Sequence, residues 1–360
     1  MKRLILSLSS CLLLAGAGAL AWSHFGCSKA EPAVDRNAIF ASLVSDVILP
    51  EHADLAQKTQ DLSDATAALC ADLSDTSLET ARSRWKDAQF SLKKIQVLAF
   101  GPYVDGGFGV RLDFWPTRGD SIETVIAEND DFSDDFVDTL GVAVVGLPAL
   151  EYLLFQDSIL DAKRCSYAAA VARDAAQNAA ALREAWAPEG GNFGAQLIQA
   201  GQGSAVFATS QDLLNVLVNQ MLTVVELLKD ADLGKPLGKK SGGVLMPDLR
   251  QSPFSEFSIQ DMLANMEGVR ELYLGSAAGQ GVRDIAAAQD AFIADRMTTY
   301  MDDAAAAILG IPETFPDSLV GNTPVVENAF SKIAFLRSNL AGNLSGLLGV
   351  TPFFNGNDGD

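Results

Sequence analysis

Leucines recur at helical spacing along this chain while strand-like alternation is missing, and that contrast narrows the fold more than any other feature. Leu55, Leu62, Leu69 and Leu73 mark one face of a helix over 51–74. Thr76-Ser77-Leu78-Glu79 reads as a capping box opening a helix that runs towards Leu98, and Asp120-Ser121-Ile122-Glu123 opens a shorter one in the same way. The alanine-rich run from Ala162 to Trp186 has high helix propensity. Further helices follow over about 204–230, 256–274, 280–309 and 324–348, separated by Gly and Pro clusters. No period-2 segment bounded by turn residues interrupts them. The fold class is therefore all-α, with two up-and-down helical-bundle halves and long inter-helix loops.

The break between halves falls at Pro188-Glu189-Gly190-Gly191-Asn192, with Gly201-Gln202-Gly203 close behind. It separates an N-terminal bundle over 35–190 from a C-terminal bundle over 200–352, followed by an acidic tail, 353–360. Two loops are long for a bundle. Gly101–Gly119 carries Phe108, Phe114 and Trp115 and should be ordered, whereas Gly234–Pro253, with Lys235, Lys239 and Lys240, reads as mobile.

Ahead of the bundles, residues 1–26 read as a signal segment: Met1-Lys2-Arg3 is basic, Leu4 to Ala21 is apolar, and Ala19-Leu20-Ala21 offers small residues for cleavage. The chain is thus expected in the periplasm or outside the cell. Cys11 leaves with the signal, and an oxidising compartment then holds Cys27, Cys70 and Cys165. One solution makes Cys27 a lipidated N-terminus, anchoring a lipoprotein, and pairs Cys70 with Cys165. The other is cleavage after Ala21 with Cys27 free; Gly26 suits a lipobox, but His24 stands where Leu is usual. Lys+Arg 26 against Asp+Glu 46 gives a formal charge of −20, which excludes nucleic acid as a partner. Only two histidines exist, His24 beside the processing site and His52, so a His-rich zinc centre cannot be assembled.

A set of motifs runs in order along the mature chain. Trp85, Phe100-Gly101-Pro102 and Leu112-Asp113-Phe114-Trp115-Pro116 come first, then Gly146-Leu147-Pro148-Ala149-Leu150-Glu151-Tyr152-Leu153-Leu154-Phe155. Lys235-Pro236-Leu237-Gly238, Asn265-Met266-Glu267-Gly268-Val269-Arg270-Glu271-Leu272-Tyr273 and the tail Phe354-Asn355-Gly356-Asn357-Asp358-Gly359-Asp360 complete it. In this the chain resembles the imelysin-like family. The resemblance implies an exported, all-helical protein of two bundle-like halves, from a family first described as peptidases and often tied to iron uptake.

The family motif is Gly-x-His-x-x-Glu, and here Gly146 and Glu151 match while Pro148 stands in the histidine position. A His and a Glu three residues apart share a helix face and can hold one cation, and proline offers no ligand. Pro148 suits the first turn of a helix beginning near Leu147. Glu151 is then either a capping or salt-bridged carboxylate at a bundle interface or a ligand and metal residue. Asp113 is its candidate partner, alternatively a turn-forming Asp. Arg111 and Arg118 flank Asp113 and could neutralise buried acid or hold an anion. With a hydroxyl from Tyr152 or Tyr103, such a site would favour iron or another divalent or trivalent cation. The ligand-binding set is Glu151, Asp113, Arg118 and Tyr152. His52, following Pro50-Glu51 at a helix start, is expected on the surface.

Other patterns carry little. Gly234-x-x-x-Gly238-Lys239-Lys240 is one residue short of a phosphate loop, Gly275–Gly279 is no nucleophile elbow, and Asn357–Asp360 is too short for a calcium loop. Three functions stay open: a non-catalytic binding or accessory protein serving iron or other metal uptake, with a metal ion or small ligand and an iron-transport system as partners; a metallopeptidase of the imelysin type; and a binder of an extracellular polymer or partner protein.

Overall fold

The computed structural model describes residues 34–156, 161–277, 279–312 and 314–353. Residues 1–33, which include Cys27 and the expected signal segment 1–26 with Cys11 and His24, and residues 354–360 of the tail, lie outside the described residues. From Val34 onward these form one compact unit, and no strand occurs among them. No helix among them is long and apolar enough to cross a membrane.

The chain enters through α1 (Arg36–Leu43), which passes through a π-helical turn, Val44–Ile48, into α2 (Leu49–Ala71). Pro50 has no N–H to give to the preceding turn, and the wider π turn just ahead of it lets the helix continue. A helix that the sequence opens at residue 51 thus begins at Arg36. At its far end it stops at Ala71, leaving Leu73 half exposed. α3 (Asp75–Lys94) follows, capped not by Thr76 but by Ser74, whose hydroxyl accepts from the Ser77 amide at 3.3 Å. It tightens into a 3-10 turn at Ile95–Leu98.

The aromatic loop folds into α4 (Pro102–Asp105) and α5 (Phe108–Leu112), then turns through a cis Trp115–Pro116 bond into α6 (Gly119–Glu128) and α7 (Asp134–Asp138). The motif helix α8 (Gly146–Phe155) precedes the alanine-rich α9 (Ala162–Trp186), capped by Asp161, whose carboxylate accepts from the Arg164 amide at 2.8 Å. α10 (Phe193–Ile198) leads to α11 (Ser210–Leu227), which opens on a Thr209/Asp212 capping box and ends in a π turn, Leu228–Gly234. The lysine-bearing loop is a run of turns pinned by Met246 N to Pro236 O at 2.8 Å and by a 3-10 turn, Pro247–Leu249. α12 (Ser258–Leu274), α13 (Val282–Ala287), α14 (Ala291–Leu309), α15 (Phe315–Gly321), α16 (Thr323–Asn339) and α17 (Ser345–Leu348) finish the chain.

Two packings dominate. α2 lies along α9 and α3, with α8 against both α3 and α9; on the other side α14 lies along α16 and α12, with α11 beside α12 and α16. The sides join where α12 crosses α3, and one continuous apolar core runs through both. A Cβ on Gly268 would sit 2.0 Å from the Lys94 carbonyl oxygen, so only glycine lets the helices approach this closely. Around that crossing, the Lys94 ammonium gathers Glu51 of α2 at 3.0 Å and Glu267 and Glu271 of α12 at 3.0 and 2.8 Å. Cys70 of α2 and Cys165 of α9 are joined by a disulfide, with Cα atoms 5.5 Å apart.

Two outcomes follow from this packing. Gly268→Ala should destabilise the protein by about 1–3 kcal/mol through overpacking at the α3–α12 crossing, read as a lowered denaturation midpoint with helical circular dichroism retained. Reducing the disulfide should lower stability by up to about 4–5 kcal/mol, the chain-entropy value for a loop of this span; thiol counting on the denatured, unreduced protein checks the pairing directly.

Candidate functional site: a buried polar chamber at the helix crossing

The motif helix is fixed from both ends. Gly146 has φ +78°, and a Cβ there would meet the Arg111 and Leu112 carbonyl oxygens at 2.5 and 2.7 Å, so α8 can start against that loop only from glycine. One residue on, the Leu147 carbonyl accepts from the buried Trp85 indole at 2.8 Å, tying α8 to α3. Pro148 occupies the first turn, where its missing N–H is not needed, and is buried.

Glu151, one turn later, is 2% exposed and points at the segment between the lysine-bearing loop and α12. Its Oε1 accepts from Phe254 N at 3.0 Å, Ser255 N at 2.9 Å and Ser255 Oγ at 2.7 Å. The same segment is held a second time by Ser252, whose hydroxyl donates to Asp261 of α12. Ser252 and Glu256 both take left-handed backbone, φ +46° and +56°, which disfavours residues with a Cβ. Residues 251–257 are thus a strained strap clamped by two buried carboxylates, one from each side of the molecule.

Beneath the strap, α3, α12 and the turn after α11 pack buried polar side chains together, and this polar interior is the chamber. Lys93 Nζ pairs with Asp113 at 2.6 Å, and Gln96 Nε2 donates to the same carboxylate oxygen at 2.8 Å. Gln89 Nε2 donates to Asp261 at 3.0 Å. Asp232, from the π turn, is buried with both oxygens unpartnered and feels the charges of Lys93, Asp261 and Asp113.

Burial pushes these acids up. Glu151 rises to about 7, because desolvation outweighs its three donors, with Asp261 adding repulsion. Asp232 rises to about 7, and Asp261 to about 6, each by burial against the pull of Lys93. Burial works against the charge on Lys93, but Asp113, Asp261 and Asp232 outweigh it and hold its pKa above the ordinary lysine value.

The residues singled out from sequence disperse around this chamber. Asp113 lies in it, committed to Lys93, whereas Glu151 faces the strap; both neighbour Asp261 electrostatically and share no hydrogen bond. Tyr152 stacks edge-on against Phe254 at 5.3 Å and donates to Glu123 at 2.7 Å, which also pairs with Arg164. Arg118 is exposed at the start of α6, with its amide bonded to Ala143 O at 3.3 Å. Arg111 turns to α9, pairing with Asp174 at 2.8 Å and donating to Leu140 and Val137 carbonyls. Tyr103 is buried, and its pKa is raised by that burial and by Asp113.

His52 is a correction. It is 1% exposed, its Nδ1 lies 2.7 Å from the Ile48 carbonyl, its ring stacks against Trp186 at 5.0 Å, and burial lowers its pKa to about 4. Pro50 is not a helix start here, so His52 belongs to a continuous helix and its face is set by α9.

As a metal centre the set does not fit. Among the described residues no three His, Cys, Asp or Glu side chains are grouped to hold a metal ion. Glu151 Oε1 is taken up by three donors and Asp113 by an ammonium. Sequence reading missed Lys93, Asp232, Asp261, Gln89, Gln96 and Asn265. A signal was present: Gln89 and Lys93, and Asp261 and Asn265, are i,i+4 polar pairs on the buried faces of α3 and α12.

The family model described as imelysin matches residues 48–334, and the chain belongs to that family. Among curated proteins no relative was found. Among solved structures, a protein described as an iron-regulated protein A precursor from Parabacteroides distasonis superposes with TM-score 0.77 at 19% identity, over 89% of this chain and 96% of that one. An imelysin-like protein from Psychrobacter arcticum gives 0.77 at 18%, over 89% and 99%. These likenesses fix the fold.

The acids set a pH dependence. Glu151, Asp232 and Asp261 bind protons more tightly folded than unfolded, so stability should rise as pH falls from about 8 to about 5. Thermal denaturation across that range checks it; Asp232→Asn and Glu151→Gln should each flatten the slope. Glu151→Ala, which strands the strap donors, should cost about 2–4 kcal/mol.

Proposed function

We propose that this imelysin-family chain is an exported, non-catalytic accessory protein of iron or other metal uptake that acts by binding a small ligand at the helix crossing. The observation that carries the non-catalytic part is the occupation of the motif: Pro148 fills the histidine position, and the Oε1 of Glu151 already accepts three strap donors. Metal-assisted hydrolysis needs a cation with an open coordination site and a base for its water. His52 lies on α2 with its Nδ1 at the Ile48 carbonyl and its ring against Trp186, and among the described residues it stands in no group of three metal-ligating side chains, so it does not replace the lost imidazole.

Support for the iron connection comes from the family and from the iron-regulated protein A precursor that shares the fold. Support for export comes from the basic, apolar N-terminus and from the Cys70–Cys165 disulfide, a bond suited to an oxidising compartment. Export would place the chain in the periplasm or beyond the cell, either anchored through a lipidated Cys27 or free after cleavage at Ala21, near an iron-transport system.

Purified protein incubated with peptide substrates, with and without a metal chelator, should give only background cleavage. Chelator-sensitive cleavage by the wild type that disappears in Glu151→Ala would overturn the reading in favour of a metallopeptidase.

A further inference from the structure

The chamber under the strap holds acceptors without donors, and the imbalance is one-sided. Both oxygens of Asp232, Oδ1 of Asp113, Oε1 of Gln89, Oε1 of Gln96 and Oδ1 of Asn265 have no partner; the amide Nδ2 of Asn265 is the one donor of that group left over. Asp232 and Asn265 are 5% and 1% exposed, so solvent at the surface does not relieve them. Gln89 and Gln96 already spend their amide N–H groups on Asp261 and Asp113, which fixes their carbonyl oxygens as the free ends. Asn265 lies one turn along α12 from Asp261, on the same face.

Charge points the same way. With Asp113, Asp232 and Asp261 all ionised, as above pH 7, buried Lys93 and exposed Lys235 leave a formal −1, and buried acceptors without partners are costly. Chelation of a bare metal ion would need the carboxylates to converge within about 2.0–2.6 Å of one point, and no such group exists among the described residues. A mixed set of carboxylate and neutral carbonyl acceptors suits hydrogen bonds of about 2.7–3.2 Å from a cationic donor, which satisfies several of them and offsets the charge. A primary ammonium brings three such N–H groups.

We propose that the chamber between α3, α12 and the Leu228–Gly234 turn binds a small ligand carrying a protonated amine, with Asp232 as its principal partner, Gln89, Gln96 and Asn265 as neutral acceptors, and the 251–257 strap as its cover. This rests on the reading of the protein as a binder and names the chemistry of its ligand. Lys93 stays with Asp113, and the excess of carboxylates over cations disfavours anions in the chamber. The strap, held by Glu151 and Asp261 across two left-handed residues, is the segment whose release opens the way in.

The test is calorimetric titration of the full mature chain with ethylammonium at pH 8, against tetramethylammonium and sodium at the same ionic strength. The expected result is saturable one-site binding of ethylammonium, none of tetramethylammonium, which has the charge but no N–H, and a loss of about tenfold or more in Asp232→Asn. Asn265→Ala should weaken binding as well, giving a second reading where Asp232→Asn fails to fold, while Asp302→Asn on the surface should not. No saturable ethylammonium binding, equal binding of tetramethylammonium, or binding unchanged in both chamber variants overturns the proposal. Titration with calcium or ferric ion that saturates and is lost in Asp232→Asn, without amine binding, overturns the amine while leaving the protein a binder. Chelator-sensitive peptide cleavage would instead remove the reading beneath it.

Discussion

The close crossing of α12 over α3 is the constraint on which the rest of this structure depends. At Gly268 the Lys94 carbonyl fills the space a side chain would occupy, so the two helices meet almost backbone to backbone. Side chains flanking that point are then forced into a shared interior. On α3 these are Gln89 and Lys93; on α12 they are Asp261 and Asn265. Lys94, one residue from the buried Lys93, turns outward and gathers Glu51, Glu267 and Glu271, fastening α2 and α12 to α3 around the crossing. A single glycine therefore sets both the register of the helix pair and the content of the chamber.

Burying charge in this way is expensive, and the chain offsets it with direct partners at some positions only. Asp113 is neutralised by Lys93 and Asp174 by Arg111, each with further hydrogen bonds. Glu151 receives three donors from the strap instead of a cation. Asp232 receives none. Satisfaction is graded, from Asp174 with both oxygens bonded, through Asp113 with Oδ1 unpartnered, to Asp232 with neither bonded, the pattern of an interior kept polar for something other than stability.

Much of the fold was legible because it rests on local pattern. The alanine-rich helix, the helix-spaced leucines and the missing strand alternation gave an all-α chain, and the ordered motifs gave its family. Boundaries were less legible where backbone chemistry was bent by packing. Pro50 reads as a helix start, yet a π turn carries the helix through it and takes His52 inward. Ser74, not Thr76, caps α3, since the cap goes to the residue whose backbone turns extended.

Within the site, sequence alone determined that Pro148 removes a metal-binding imidazole, that a helix starts near Leu147, and that Glu151 would be either a capping or salt-bridged carboxylate or a ligand. These are properties of single residues and their helical neighbours, and spacing is enough to read them. Which carboxylates share a chamber was decided only by the tertiary structure. Asp113 stands on a loop 119 residues before Asp232, which lies in a π turn 29 residues before Asp261 on a helix, and nothing local marks them as neighbours. Their meeting depends on how closely α12 can lie on α3, a distance set by contact between backbones.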